Sequence, residues 1–416
     1  MKENTNISEL MEQRLSPEVR EVLRTVSLAA AEQRYGIYLV GGVVRDLLLG
    51  RDNFDLDLVV EGDAIVLADR LADILQGKVT VHTRFRTATV KWDGRSVDLA
   101  TARSETYARP GALPAVKRAD IETDLRRRDF TVNSMAVDLS AGNRGRLLDP
   151  HNGREDLEQG RIRILHEKSF IDDATRIWRA VRYEQRLDFR IEPATLGLLK
   201  QHISMLDTIS GDRIRHELEL VLAEQQPEKG LRRAAELGVL QKIHPALRGD
   251  DRLAETFRLA REEIGPDKPS LGLYLALLVY GLNDEETEEF VSSLSLRKQQ
   301  SRIISDTTVL KSRLQILADA AARPGDIYTC LHDLSPVAVT AVSIAADGPP
   351  EKRNIRRYLD ELRHVRTALS GRDLRRMGFP PGPRINDVLH RLLLARLNGQ
   401  VTNRQGETEM AGRMKG

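Results

Sequence analysis

The stretch YLVGGVVRDLLLGRDNFDLDLVV, residues 38–60, combines a short apolar run, a Gly-Gly turn and two aspartates set two positions apart. Residues i and i+2 of a strand lie on one face, so Asp55 and Asp57 should point the same way, with the leucines beside them facing the core. Two neighbouring carboxylates repel each other, and a divalent cation resolves that repulsion. The stretch therefore predicts a strand that carries a Mg²⁺ site, with a solvent-facing strand of alternating charge as the alternative.

The Gly-Gly turn lies between the apolar run and a predicted helix. Glycine lets a phosphate group approach the backbone, so Gly41 and Gly42 predict a phosphate cradle to which the helix N-terminus adds amide donors. Arg45 falls in the first turn of that helix, within reach of the same anion. The pattern differs from the G-x-G-x-x-G fingerprint of a dinucleotide-binding fold. A phosphate cradle followed by a metal pair predicts nucleotidyl transfer, in which metal ions stabilise the attacking hydroxyl and the leaving pyrophosphate.

Composition and length narrow the class of protein. The chain has 416 residues, of which 41% are hydrophobic and 30% are charged, with 64 Lys and Arg against 62 Asp and Glu. This length favours about two to four domains. The single cysteine, Cys330, excludes an intrachain disulfide and a cysteine metal cluster. No apolar run approaches the roughly 18 residues of a membrane span, so a cytoplasmic enzyme or binding protein without a membrane partner is expected.

The order of predicted elements changes at about residue 150, from mixed strands and helices to an almost entirely helical remainder. Asp98, on one of the predicted strands, is a candidate third metal ligand, and a half-exposed strand aspartate is the equal alternative. Residues 102–123, with two prolines and a glycine, are predicted to form a mobile loop. The segments predicted before that loop are a helix over 16–34 and strands over 36–40, 54–60, 78–82, 87–92 and 95–102.

Two further motifs carry charged residues that are each, alone, typical of a solvated surface. RRDFTVNSMAVD (127–138) places two arginines and an aspartate before a helix-like segment. In DDATRIWRAVR (172–182), Asp173 and Arg176 are three positions apart and would share one helical face. An Asp-Arg pair can present a fixed donor and acceptor edge to a nucleobase. A surface ion pair is the alternative.

Taken together and in this order, the motifs resemble the class II tRNA nucleotidyltransferases, which include CCA-adding enzymes and bacterial poly(A) polymerases. The resemblance rests on LVGGVVRD…DLD, RRDFTVN, DPHNGREDL, DDATRIWRAVR and GDRIRHEL, and more loosely on the C-terminal GRDLRRMGFPPGPRINDVLHRLL. It implies an α+β fold in which a mixed-sheet, polymerase-β-like nucleotidyltransferase head precedes helical parts. The implied divisions are a catalytic head at 1–150, a nucleotide-selecting neck at 151–220, a body at 221–330 and a tRNA-binding tail at 331–416.

The resemblance also implies a role for each matching residue. Asp55 and Asp57 would be catalytic and hold Mg²⁺, and the incoming ATP or CTP would be selected by the protein without a template. The tail would grip tRNA through basic side chains, for which a solvated basic face is the alternative. The implied nucleotide-binding residues are Gly41, Gly42, Arg45, Arg128, Asp129, Asp173, Arg176, Arg179 and Arg182, and the implied RNA-binding residues are Arg372, Arg375 and Arg376.

Two departures from the family pattern shorten an acidic side chain by one methylene. The usual Glu-Asp pair is Asp172-Asp173, and the E-R-x-x-x-E motif begins with Asp212. The full-length candidate loop at 102–123 argues against an enzyme that adds only CC. We therefore expect completion of the tRNA CCA end, either all of CCA or the terminal A. Poly(A) polymerase is the alternative, and a catalytically silent RNA-binding protein is disfavoured by the intact motif residues.

Overall fold

A computed structural model describes residues 6–51 and 55–415 and divides the chain into two compact units. The first unit comprises Met1–Leu218 with Glu236–Lys242, and the second comprises Glu219–Ala235 with Ile243–Gly416. The finer division into head, neck, body and tail stays a prediction.

A seven-stranded mixed sheet forms the centre of the first unit, with the strand order β3-β4-β5-β2-β1-β8-β9. Only β2 and β5 pair in parallel, and the other neighbours in this sheet are antiparallel. The predicted mixed-sheet α+β fold is thereby confirmed. The strands of the whole described chain, seven of which form this sheet, are β1 Gly36–Val40, β2 Leu56–Glu61, β3 Lys78–His82, β4 Thr87–Trp92, β5 Arg95–Thr101, β6 Arg103–Thr106, β7 Ala115–Arg118, β8 Ala136–Asp138, β9 Leu147–Leu148, β10 Arg161–Ile162 and β11 Arg190–Ile191.

The helices of the first part of the chain cover the sheet and follow it. The predicted helix over 16–34 is observed, and the Ser16 hydroxyl accepts a hydrogen bond from the Val19 amide at 3.3 Å as its N-cap. Ile121 and Leu125 of one helix join Tyr38 and Val59 of the sheet in one buried cluster. The helices are α1 Ser8–Arg14, α2 Pro17–Glu32, α3 Gly42–Leu48, α4 Ala64–Leu75, α5 Ile121–Arg126, α6 Gly153–Glu158, α7 Ser169–Asp172, α8 Thr175–Leu187, α9 Pro193–Gln201, α10 Gly211–Leu222 and α11 Pro227–Glu236.

The rest of the described chain is helical, as the apolar spacing predicts. One buried cluster of the second unit includes Leu310, Ile327, Leu331 and Val342. The helices are α12 Asp251–Ile264, α13 Leu271–Val279, α14 Asp284–Ser293, α15 Lys298–Ser312, α16 Leu314–Leu317, α17 Pro324–Leu331, α18 Pro336–Ala345, α19 Pro349–Asp360, α20 Gly371–Arg376, α21 Pro383–Leu397 and α22 Arg404–Arg413.

Within the described ranges, no single helix is long and apolar enough to cross a membrane. Helices α17 and α18 pass the same test only as a pair, by length and composition, across a bend of 114°.

The predicted mobile loop at 102–123 is largely ordered, and that part of the prediction is wrong. Strands β6 and β7 pair as an antiparallel hairpin, and α5 begins at Ile121. The proline and glycine residues that suggested a loop lie in the turn of the hairpin, at 110–114. A contact between residues distant in sequence holds the first strand of the hairpin. Glu105 on that strand accepts a hydrogen bond from Arg127 at 2.9 Å.

The sheet topology places the two halves of the opening motif side by side. β1 ends at Val40 and β2 begins at Leu56, and these antiparallel neighbours pair Leu39 with Leu58. The end of one strand and the start of the other therefore meet at the same edge of the sheet. Phe54, the first residue of the predicted strand 54–60, lies outside the described residues.

A buried carboxylate holds the C-terminal helix of the second unit in place. Glu407 is 0% exposed and accepts hydrogen bonds from the amides of Ala368 at 3.0 Å and Leu369 at 2.8 Å, and from Arg396 at 2.9 Å. These bonds satisfy a charge that would be costly to bury alone.

We predict that Glu407→Gln lowers the free energy of unfolding by about 3 kcal/mol, because the amide NH₂ would face a backbone donor and the ion pair to Arg396 would be lost. Glu409→Gln on the exposed face of the same helix is the matched control, with a change below about 0.5 kcal/mol. Urea unfolding of the two variants measures the difference. Equal losses in both would show that the buried contacts are not what stabilises this helix.

Candidate active site

A cleft of about 490 Å³ in the first unit brings together most of the residues singled out by the sequence. Its walls come from the turn after β1, the start of β2, the β6–β7 hairpin, the segment after α5, and α8. Ten predicted nucleotide-binding or catalytic residues line it: Gly41, Gly42, Arg45, Asp55, Asp57, Arg128, Asp129, Asp173, Arg176 and Arg179.

The Gly-Gly turn has the conformation that the cradle prediction requires at its first position. Gly41 has φ 71° and ψ −130°, which L-residues with a side chain rarely adopt, and a Cβ there would lie 2.9 Å from Nη1 of Arg128. Gly42 begins α3, and a Cβ there would lie 3.6 Å from Arg45, which is an ordinary contact. Gly41 is thus required by the backbone, whereas Gly42 is not.

Arg45 is held rigidly at the wall of the cleft. It is 2% exposed, and its Nε and Nη2 donate hydrogen bonds to Asp46 at 2.8–2.9 Å. Its Nη1 donates to Oδ1 of Asn133 at 2.7 Å. The guanidinium therefore has a fixed orientation before any anion arrives, which reduces the entropy cost of binding one.

Asp129 is the next link of this hydrogen-bonded chain. Its Oδ1 accepts from Nδ2 of Asn133 at 3.1 Å, and its Oδ2 accepts from Nε of Arg179 at 2.8 Å. Burial opposes its ionisation, but Arg179 and the hydrogen bond from Asn133 outweigh that effect and lower the pKa of Asp129 to about 2. Asp129 is therefore a permanent anion that orients Arg179. Its predicted contact with the sugar stays a prediction.

The two opening aspartates also line the cleft. Burial is the main cause that raises the pKa of Asp57, Arg128 lowers it, and Asp98 and Asp55 raise it, so that the pKa is about 6. Asp57 and Asp98 are partners on the parallel strands β2 and β5. Asp57 thus carries a charge that its surroundings do not fully compensate, which fits a cation-binding role.

Asp98 accepts a hydrogen bond from the Thr89 hydroxyl and does not line the cleft. Over 6–51 and 55–415, no three acidic, histidine or cysteine side chains are grouped closely enough to hold a metal ion. Asp98 is thus next to Asp57 across the strand pair but is not grouped with Asp55 and Asp57 as a set of three ligands, and its role as a third ligand stays a prediction.

Asp124 and Glu105, which the sequence reasoning missed, fix the two arginines before Asp129. Asp124, which is fully buried, accepts from Arg127 at 2.6 Å and from Arg128 at 3.0 Å. Glu105 accepts from Arg127 at 2.9 Å and so connects the hairpin to the same segment. The i,i+3 and i,i+4 spacing of Asp124 from the arginines was a readable signal, whereas the Glu105 contact spans 22 residues.

The predicted helical pair of Asp173 and Arg176 is not observed as such, and this prediction is wrong in its geometry. Asp173 is extended, with φ −140° and ψ 100°, and lies between α7 and α8. It accepts from the Thr175 amide at 3.0 Å and hydroxyl at 2.7 Å, so α8 begins after it, and from Arg213 at 2.7 Å. Both residues still line the cleft.

Arg176 is anchored by groups outside its own helix. Its Nη1 donates to the Ser169 hydroxyl at 2.7 Å, and its Nη2 donates to the carbonyl oxygen of Arg127 at 2.6 Å. Arg182 is buried and does not line the cleft. Asp172, the shortened acid of the motif, lies 3.9 Å from His166. The base-selecting roles assigned to this segment stay predictions.

The predicted RNA-binding residues belong to the second unit. Arg372, Arg375 and Arg376 are on α20, and all three are exposed. Their contact with RNA stays a prediction.

Comparison with known proteins identifies the family. Residues 37–163 match the model of the poly A polymerase head domain, and residues 188–250 match that of the probable RNA and SrmB-binding site of polymerase A. The A-adding tRNA nucleotidyltransferase of Geobacter sulfurreducens is 36% identical over 97% of this chain, which spans 48% of that relative. The A-adding tRNA nucleotidyltransferase of Halalkalibacterium halodurans is 32% identical over 98% of this chain and 95% of its own length.

Solved structures agree with these relatives. The apo form II of a CCA-adding enzyme superposes with a TM-score of 0.81 at 32% identity, covering 99% of both chains. The Thermotoga maritima CCA-adding enzyme complexed with tRNA gives a TM-score of 0.76 at 31% identity, again covering 99% of both chains. The resemblance inferred from the motifs is thus confirmed, and the chain belongs to the tRNA nucleotidyltransferase family that includes A-adding and CCA-adding enzymes.

Proposed function

We propose that this protein completes the 3′ end of tRNA by transferring a nucleotide from ATP or CTP and releasing pyrophosphate, without a nucleic-acid template. The observation that carries this proposal is the single cleft in which Asp55 and Asp57 face a wall of arginines. A nucleoside triphosphate and its metal need these two kinds of group close together. The names of the relatives favour tRNA over generic RNA as the acceptor, which disfavours poly(A) polymerase.

Addition of the terminal A is the specific reaction we favour. The relatives named as A-adding are 32–36% identical to this chain, several relatives named as CCA-adding are 27–29% identical, and the CCA-adding enzymes of solved structures are 30–32% identical. Because CCA-adding structures have been solved with both ATP and CTP and resemble this chain closely, use of CTP as well is the second candidate. The cytoplasmic location expected from the sequence stays a prediction.

The residues of the cleft divide the chemistry between them. Asp55 and Asp57 fit Mg²⁺, because both carboxylates line the cleft, on either side of the buried Leu56, and the raised pKa of Asp57 marks an uncompensated charge. Mg²⁺ bound there would supply charge stabilisation at the reacting phosphate. The turn at Gly41 and Gly42 and the fixed Arg45 would hold the triphosphate, leaving the 3′-hydroxyl of the RNA to attack the α-phosphate in line.

Asp173 and Arg176 would contact the base edge. Arg128 and Asp129 would contact the phosphates and sugar, with Arg179 and Arg182 in support. Each of these residues except Arg182 lines the cleft, and the tail arginines Arg372, Arg375 and Arg376 would contact the RNA backbone.

The substrate is tested by incubating the protein with Mg²⁺ and ATP or CTP, using three acceptors: tRNA that lacks CCA, tRNA that ends in CC, and mature tRNA. We expect ATP to extend only the tRNA ending in CC, by one nucleotide, because the terminal A is the only nucleotide that this acceptor lacks. Addition of CC and then A to the shorter tRNA would establish CCA addition. Long A tails on generic RNA would favour the polymerase, and no extension of any acceptor would contradict the proposed function.

Replacing Asp57 by Asn should abolish transfer and yet stabilise the metal-free protein at about pH 7.5. The pKa of Asp57 is about 6 in the folded protein against the ordinary 3.8, so the folded state holds a proton that the unfolded chain releases. The stability that protonated Asp57 contributes to the folded protein is therefore lost as pH rises from about 4 to about 6. Above that window the unfavourable charge of the carboxylate is fully present. Because the side chain lies in an open cleft and is only partly shielded from solvent, we expect a gain of at most about 1 kcal/mol.

Thermal unfolding of Asp57→Asn and of the unsubstituted protein, at about pH 5 and pH 7.5 with and without Mg²⁺, measures this effect. Asp93→Asn, in the β4–β5 turn at φ 42°, is the matched control, because Asn also tolerates a positive φ. Mg²⁺ should stabilise the unsubstituted protein and the control but not Asp57→Asn. Equal stabilisation of all three by Mg²⁺ would argue against the metal assignment.

The two glycines offer a matched pair of alanine substitutions. Gly41→Ala should lower the free energy of unfolding by about 1–2 kcal/mol, because it places a Cβ at a positive φ and against Arg128. Gly42→Ala has room in the folded protein and should change stability by less than about 0.5 kcal/mol. It should nevertheless raise the KM for ATP about tenfold or more, because the Cβ would keep a phosphate away from the backbone. An unchanged KM for Gly42→Ala would remove this glycine from the phosphate cradle.

A further inference from the structure

Tyr183 is an aromatic residue of the cleft to which neither the motifs nor the proposed chemistry gives a role. It lines the cleft and is 9% exposed. Its ring centroid lies 5.2 Å from Cζ of Arg45, 5.8 Å from Cζ of Arg179 and 4.8 Å from Cζ of Arg182. Three guanidinium groups therefore surround one ring, within the range of cation–π attraction.

The three guanidinium groups come from two elements. Arg45 belongs to α3, the helix that follows the Gly-Gly turn, and Arg179 and Arg182 belong to α8, the helix that follows Asp173. Tyr183 is also on α8, one position after Arg182 and four after Arg179, so it shares a helical face with Arg179. Its ring thus joins the phosphate side of the cleft to the side expected to select the base.

The ring itself is fixed from behind. Phe130 packs against it edge to face, with the centroids 5.9 Å apart and the planes at 82°. Phe130 is 0% exposed and adjoins Asp129, the carboxylate that pairs with Arg179. The aromatic pair and the ion pair are consequently built from the same short segment.

Gathering several cations around one cavity is unfavourable unless something offsets their repulsion. Asp46 pairs with Arg45, and Asp129 pairs with Arg179. A further carboxylate within the cavity would repel the incoming phosphates, whereas a ring attracts cations through its quadrupole without carrying a net charge. An aromatic side chain is therefore suited to this position.

We propose that Tyr183 is a positioning residue whose ring, which also contacts the buried Arg182, holds the guanidinium groups of Arg45 and Arg179 in place to receive the triphosphate of the incoming nucleotide. This inference rests on the proposed function and deepens it. It assigns the contribution to the ring and not to the hydroxyl. Loss of the ring should weaken binding of nucleotides and of pyrophosphate, and leave the binding of tRNA unchanged.

The test replaces Tyr183 by phenylalanine and then by phenylalanines that carry one, two and three ring fluorines, incorporated site-specifically. Fluorination weakens the ring quadrupole stepwise and preserves the shape of the side chain, so packing and folding are retained. ATP binding is measured by calorimetry without tRNA, and the KM for ATP, the KM for tRNA and kcat are measured in the transfer assay. We expect Tyr183→Phe to bind ATP within about twofold of the unsubstituted protein and the trifluorinated variant to bind about fivefold or more weakly.

The KM for tRNA and the melting temperature should stay constant through the series. Tyr280, whose ring lies 5.2 Å from Nζ of Lys311 and which does not line the cleft, is the matched control. The same fluorinated residues at position 280 should leave ATP binding unchanged. ATP affinity that is independent of fluorination at position 183 would overturn the inference. A loss of ATP affinity in Tyr183→Phe as large as in the trifluorinated variant would also overturn it.

These outcomes are distinguishable from failure of the proposed function. If no tRNA is extended but ATP binding weakens with fluorination, the positioning role stands and the transfer reaction fails. If tRNA is extended and ATP binding does not respond to fluorination, the transfer reaction stands and the positioning role fails.

Discussion

The buried carboxylate of Asp129 is the contact on which the geometry of the cleft depends. It receives hydrogen bonds from Asn133 and Arg179, and Asn133 in turn receives one from Arg45. Through these bonds one anion connects α3, the turn after α5 and α8. Its lowered pKa means that the carboxylate is ionised at neutral pH and keeps this connection there. A neutral residue at position 129 would leave the half-buried Arg179 without its counter-charge, which would destabilise the folded cleft.

Much of the fold could be predicted from the sequence because its signals are local. Alternating apolar residues located β1, β3 and β4 at their observed bounds, and the Ser-Pro signal located the start of α2. Asp57 lies in β2 as the pattern predicts, whereas Asp55, predicted within the same strand, lies immediately before it. The hairpin of β6 and β7 could not be predicted, because its proline-rich turn resembles a loop and the bonds that hold its first strand come from a later segment.

The candidate site shows the same division between local and distant signals. The glycines and aspartates were recognisable as a motif, and the structure brings them to one edge of the sheet. The partners that orient the arginines were not recognisable, since Asp124, Glu105 and Asn133 are ordinary polar residues until the fold places them. The spacing of Asp173 from Arg176 predicts that both lie on one helix. The Asp173 carboxylate instead accepts hydrogen bonds from Thr175, and the helix begins after Asp173. A short acidic side chain that accepts hydrogen bonds from nearby backbone amides competes with continuation of a helix through it.

Charge in the cleft is divided so that several arginines are paired with carboxylates and Asp57 is not fully compensated. Asp46, Asp124 and Asp129 each pair with an arginine, and these arginines still line the cleft. Asp57 has no such arrangement, and its raised pKa records the resulting cost. A protein selected for stability alone would neutralise this carboxylate. Its retention is expected if the missing positive charge is supplied by a metal ion that arrives with the nucleotide, which couples the stability of this unit to the binding of its substrate.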